Sequence, residues 1–98
     1  MPIGPGLDGY AWTRASILAN VPRASGVYVI YNAQTWIYVG ESGDIQARLL
    51  QHFDGDNACI TRHVPTGFQF ELAVTTQRVA RQDHWIAQLG PACNQRFG

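Results

Sequence analysis

The chain has 98 residues, room for one small domain and not for two. Nearly half are apolar, and three Trp, four Tyr and four Phe supply bulk, so the composition excludes a disordered chain. Seven positive and seven negative residues cancel, which excludes a global basic field, although every cation is an Arg, the residue whose planar fork fits phosphate or carboxylate.

In chain order, residues 1–10 hold two Pro and three Gly and read as an irregular arm. Thr13 can cap a short helix over 14–19, with Ile17 and Leu18 facing inward and Pro22 ending it. The β-branched and aromatic run 27–31 predicts a strand, 32–35 a hairpin loop and 36–39 the return strand, broken by Gly40. Alternation places Tyr28 and Ile30 on one side of the first strand and Trp36 with Tyr38 on one side of the second. Tyr28 and Tyr38 therefore share a face if register allows.

Ser42 or Asp44 can cap a helix over 44–53, in which Ile45, Leu49 and Phe53 form the buried stripe. Asp44, Arg48 and His52 recur along an adjacent stripe, and an Asp44–Arg48 pair at i,i+4 is the ordinary structural role for that arginine. A short helix is expected near 58–63 and a third strand over 68–74. Thr75 or Thr76 can cap a last helix over 77–89, closed by Gly90 and Pro91. Val79, Ile86 and Leu89 mark its inward stripe, and Gln82 falls in the middle of it. The order implies a small α+β domain with an antiparallel three-stranded sheet flanked by helices. Residues 1–25 form an arm of the same domain, 26–94 its body and 95–98 a tail.

Cys59 and Cys93 show no metal-ligand spacing and read as buried or semi-buried thiols in a reducing compartment. The first residues lack a basic start and an apolar run, so no signal peptide is expected, and no stretch approaches a membrane span. The expectation is a soluble cytoplasmic protein.

Gly26-Val27-Tyr28 and Tyr38-Val39-Gly40 resemble the two signatures of the GIY-YIG nuclease superfamily. The spacing between them is similar to the family's, as are the run from Gly40 to Arg48, His52 one turn later, and the closing segment from Trp85 to Asn94 with its Pro-x-x-Asn ending. The resemblance covers residues 26–94. It implies a metal-dependent endonuclease acting on DNA, duplex or branched, with Mg²⁺ or Mn²⁺ as cofactor. By the resemblance, Tyr28 activates or positions the attacking water, Tyr38 orients water or phosphate, and Arg48 holds a phosphate oxygen. His52 supports the tyrosine hydroxyl, and Asn94 supports the site by hydrogen bonding.

The departure is at Gln82, where the family places its metal-binding glutamate. Asp83 is anionic but lies about 100 degrees further around the helix. Mg²⁺ prefers anionic oxygen, and a neutral amide is a weaker ligand, so turnover is expected to be weakened or absent. The alternative is a non-catalytic nucleic-acid-binding module that keeps the phosphate pocket. No appended DNA reader is present, so specificity is low or comes from a partner protein or a homodimer.

Overall fold

The computed structural model describes residues 9–94. The part of the expected arm before residue 9 and the tail 95–98 lie outside them. Four strands form one antiparallel sheet: β1 (Tyr10–Ala11), β2 (Gly26–Tyr31), β3 (Trp36–Ser42) and β4 (Gly67–Leu72), in the order β1-β4-β2-β3. The expected three-stranded sheet thus has a fourth strand. Tyr10 and Ala11, expected within or beside an irregular arm, pair with Phe68 and Gly67. Two residues are too few to show alternation, so pairing with β4 is what makes them a strand.

The hairpin forms where expected. Asn32 organises it: its Oδ1 accepts from the N–H groups of Gln34 and Thr35, at 2.9 and 2.8 Å. β3 does not stop at Gly40 but runs on to Ser42, paired with β2 except at a bulge that skips Ile37 and places Trp36 against the opposite apolar layer from Tyr38, not on the same side as expected. Gly40 serves a different need from breaking the strand. A Cβ there would lie 2.3 Å from the Tyr28 hydroxyl, so the glycine makes room for that phenol.

Helices α1 (Arg14–Asn20), α2 (Ile45–Phe53), α3 (Ala58–Arg62) and α4 (Arg78–Leu89) complete the chain. Thr13 caps α1 through a 3.0 Å bond from the Ser16 N–H. Ile17 is fully buried, but Leu18 is 52% exposed, because adjacent helical residues point about 100 degrees apart. Asp44 caps α2, and Asn57 caps α3. α4 is preceded by a 3₁₀ turn (Thr75–Gln77) and has no side-chain cap, so neither Thr75 nor Thr76 plays that part. It ends at Gly90 in the left-handed conformation, φ 56°, as the glycine suggested.

The sheet separates two apolar layers. Ile17, Tyr28, Ile30, Ile45, Leu49, Ile60 and Phe68 form the larger one with α1, α2 and α3. Val27, Val29 and Val39 form the smaller one, covered by Trp85, Ile86 and Leu89 of α4. Val79 is not on that inward stripe; it is 56% exposed. The half-buried residues Arg78, Arg81, Gln82, Trp85, Ile86 and Leu89 define the covered face instead, at helical spacing.

β3 is an edge strand, yet part of its edge is filled. The N–H groups of Ala92 and Cys93 donate to the carbonyls of Trp36 and Ile37, at 3.0 and 2.8 Å. Cys59 and Cys93 are joined in a disulfide, which corrects the expectation of two thiols. Their 34-residue separation carries no pairing signal; the fold pairs them by bringing α3 beside the segment after α4. Among the described residues, no helix is long and apolar enough to cross a membrane.

Candidate functional site

Strand register and helix spacing together assemble a polar cluster on the larger layer. Tyr28 lies opposite Gly40, and Tyr38 opposite Ile30, so the two tyrosines sit diagonally on one face with ring centroids 6.2 Å apart. α2 crosses this face and presents His52 to both, at 5.5 Å from the Tyr28 ring and 5.2 Å from the Tyr38 ring.

Tyr28 is 1% exposed and His52 2%. Their polar atoms meet: Tyr28 Oη lies 2.7 Å from His52 Nε2. The other ring nitrogen, Nδ1, lies 2.9 Å from Asp56 Oδ1. A carboxylate only accepts, so Nδ1 carries the proton and Nε2 accepts from the phenol. Asp56 then reaches back, its Oδ2 taking a 2.8 Å bond from Arg48 Nη1, which also donates to Gln51 Oε1 at 2.6 Å.

Asp56 lies past the end of α2, beyond the left-handed Gly55, at the same four-residue spacing from His52 that separates His52 from Arg48, and the turn brings its carboxylate back to the imidazole. In the sequence Asp56 has no evident role because it lies in the polar, turn-rich stretch between two expected helices. The four-residue recurrence was the available signal. The expected Asp44–Arg48 pair does not form. Asp44 points its carboxylate at the helix start, accepting from Ala47 N–H at 3.0 Å, and pairs with Arg23 at 3.0 Å.

Electrostatics follow from burial. The Tyr28 phenol is pushed well above its ordinary value near 10, first by desolvation and then by neighbouring Tyr38, with Arg48 opposing. His52 is lowered from its ordinary value, again first by desolvation, with Asp56 opposing. At neutral pH both groups are therefore uncharged, a phenol donating to an imidazole. Such a pair is able to relay a proton without a tyrosinate forming.

Asn94 stands at the back of the cluster. Its side-chain amide grips Val39 at both ends, Oδ1 accepting from the Val39 N–H at 2.7 Å and Nδ2 donating to its carbonyl at 2.8 Å. This fastens the residue between Tyr38 and Gly40.

Gln82 is a half-buried residue of α4. Among the described residues no hydrogen bond or ion pair joins it to Tyr28, Tyr38, Arg48 or His52. The donor set around α4 does not fit a hard divalent cation. Gln82 offers a neutral amide, and the carboxylates that α4 meets are already paired. Glu41 takes a 2.9 Å bond from Arg78, and Glu71 takes bonds of 2.8 and 3.0 Å from Arg81, which holds its carboxyl below the usual range. Asp83 is exposed.

The model of the GIY-YIG catalytic domain matches residues 24–87. The chain belongs to the GIY-YIG family. No curated protein matches it. Among solved structures, it is similar to the GIY-YIG N-terminal endonuclease domain of UvrC from Thermotoga maritima. With the magnesium-bound form the identity is 20% and the TM-score 0.73, over 84% of this chain and 94% of that one. An asparagine-to-alanine point mutant of that domain, bound to its catalytic divalent cation, gives 20% and 0.72 over 85% and 94%. A tyrosine-to-phenylalanine mutant gives 20% and 0.71 over the same shares. At such identity the likeness is one of fold. In this GIY-YIG chain the first signature is Gly26-Val27-Tyr28 and the second Tyr38-Val39-Gly40, paired on adjacent strands.

Proposed function

We propose that this chain is an endonuclease-type domain whose site handles a DNA phosphodiester, with hydrolysis held low by Gln82. The observation that carries this is the unbroken line Arg48–Asp56–His52–Tyr28. Tyr28 Oη takes a proton from the attacking water while passing its own to His52 Nε2. Asp56 holds the resulting imidazolium, as the third member of a triad does. The water oxygen bonds to phosphorus, and the leaving oxygen departs and takes a proton from solvent. Arg48 has five N–H donors and uses Nη1 for Gln51 and Asp56, so donors remain for a phosphate oxygen. Tyr38, whose ring lies against those of Tyr28 and His52, orients water or phosphate. No step is routed through a metal, because the residues at position 82 and beside it do not fit one.

The neutral amide of Gln82 also favours a second reading, a module that binds a phosphodiester and does not cleave it. Charge limits either activity. Five of the six described arginines, Arg14, Arg23, Arg48, Arg78 and Arg81, are in ion pairs, which leaves Arg62 as the exception. Few phosphate contacts are available, so tight binding or sequence selectivity calls for a partner or a second copy.

The test is a cleavage assay on duplex, single-stranded and branched DNA with Mg²⁺ or Mn²⁺. The wild type is expected to be slow, Gln82→Glu to gain cation-dependent cleavage, and Tyr28→Phe or Arg48→Ala in that background to lose it. Absence of cleavage by both wild type and Gln82→Glu, with the fold intact, overturns the nuclease reading in favour of the binding module.

A further inference from the structure

A second cluster, distant in role from the tyrosines, lies where α3 meets the segment after α4. The sulfurs of Cys59 and Cys93 and the Nδ1 of His63 all lie within 4.8 Å of one another. Cys59 and His63 are one helical turn apart, and Cys93 comes from the far end of the chain. A search by local spacing sees only half of this arrangement, which is why the two cysteines looked unsuited to a metal.

We propose that, once the disulfide is reduced, Cys59, His63 and Cys93 form a site for a soft divalent cation of the Zn²⁺ type, with water as fourth ligand. The chemistry of the set supports this: two thiolates and an imidazole select zinc over magnesium. Geometry supports it too. His63 Nδ1 is 3.9 and 3.7 Å from the two sulfurs, close to the roughly 3.6 Å edge between S and N ligands of a tetrahedral zinc. Only the sulfurs must part, to about 3.8 Å.

Both halves of the site are anchored independently of the cation. Ile60 is buried in the larger layer, and Asn57 caps α3. The His63 carbonyl accepts from Asn32 Nδ2 at 2.7 Å, and Cys93 N–H is bonded to β3. His63 Nδ1 now rests 2.9 Å from the Cys59 carbonyl, so binding breaks that bond, moves the imidazole proton to Nε2 and releases the two thiol protons to solvent. The ion would replace the disulfide as the tie that keeps Cys93, and Asn94 after it, against β3.

Reduction is written with a phosphine: the phosphine and water convert the disulfide to two thiols and become the phosphine oxide. The phosphine-reduced chain, kept anaerobic, is titrated with Co²⁺ and then Zn²⁺. The expected result is one equivalent bound, a thiolate-to-cobalt charge-transfer band, and its loss as Zn²⁺ displaces Co²⁺. Cys93→Ser and His63→Ala are each expected to weaken binding at least about tenfold. The unreduced chain is expected to show no such band. No thiolate band in the reduced chain overturns the proposal, as does affinity unchanged in Cys93→Ser or His63→Ala. Should reduction alone loosen the fold, recovery of the near-ultraviolet circular dichroism on adding Zn²⁺ supports the site, and no recovery overturns it. A cation near Gln82 gives no thiolate band, so the two positions are told apart.

Discussion

At the scale of single residues, the contact that matters most is the 2.7 Å approach of the Tyr28 hydroxyl to His52. It answers an objection that composition alone raises, namely that a phenol is a poor base at neutral pH. In the proposed reaction the base is the imidazole, reached through the phenol. Because burial lowers His52, the neutral form persists below its ordinary value near 6.5. Cleavage by Gln82→Glu is therefore expected to fall away on the acid side only as pH drops through that lowered value. Tyr28 stays protonated through alkaline pH and gives no basic limb. A rate–pH profile measures this, and an acid limb centred at or above 6.5 contradicts it. Asp56→Asn removes the group that favours imidazolium. The acid limb is then expected to move to still lower pH, and the rate to fall by about 10²-fold or more. The linkage to stability has the same sign. A lowered folded value means the unfolded chain takes the proton first, so the His52 contribution is complete above about 6.5 and is lost as pH falls through the folded value.

At the scale of elements, the site depends on how β3 is held. Gly40 admits the Tyr28 ring, and Asn94 grips Val39 from the open edge. Gly40→Ala places a methyl against the Tyr28 hydroxyl and is expected to destabilise by about 1–3 kcal/mol, read from denaturant melts. Asn94→Ala strands a backbone donor and an acceptor on Val39 and is expected to cost about 1–3 kcal/mol. Faster amide exchange at Val39 would accompany it, whereas unchanged exchange there would mean the clamp is ornamental. On α4, Trp85, Ile86 and Leu89 pack against the sheet, and Arg78, Arg81 and Gln82 are half-buried beside them. Val79 looks like a core residue by type and is outside by phase. Periodicity located the helix and its Gln82, but the start of the helical phase was set by the 3₁₀ turn before it, which has no local signature.

At the scale of the whole molecule, a 98-residue chain buries little surface, and the disulfide adds a covalent tie across 34 residues. Reduction without metal is expected to lower stability by about 3–4 kcal/mol on the chain-entropy account, seen as a drop in Tm. An unchanged Tm would mean the reduced chain is held together without the tie. The ion pairs are spread over the surface, as in Arg14–Asp54 and Arg23–Asp44, so they blunt rather than build a basic face.

The sequence by itself determined the strands β2 and β3 and the helices, and its likeness to the GIY-YIG motifs singled out Tyr28, Tyr38, Arg48, His52 and Asn94 as candidates. These rest on local periodicity and on motifs whose residues stand near one another in the chain. It also marked Gln82 as the departure. Tertiary structure alone decided four things: the pairing of Tyr10–Ala11 with β4, the role of Asp56, the grip of Asn94 on Val39, and the meeting of Cys59, His63 and Cys93. Three of them join residues 30 or more positions apart. Asp56 is only one turn from His52, but it lies past the helix end, where the direction of the chain is set by packing. In the other three, the deciding energy comes from contacts that no window along the sequence contains.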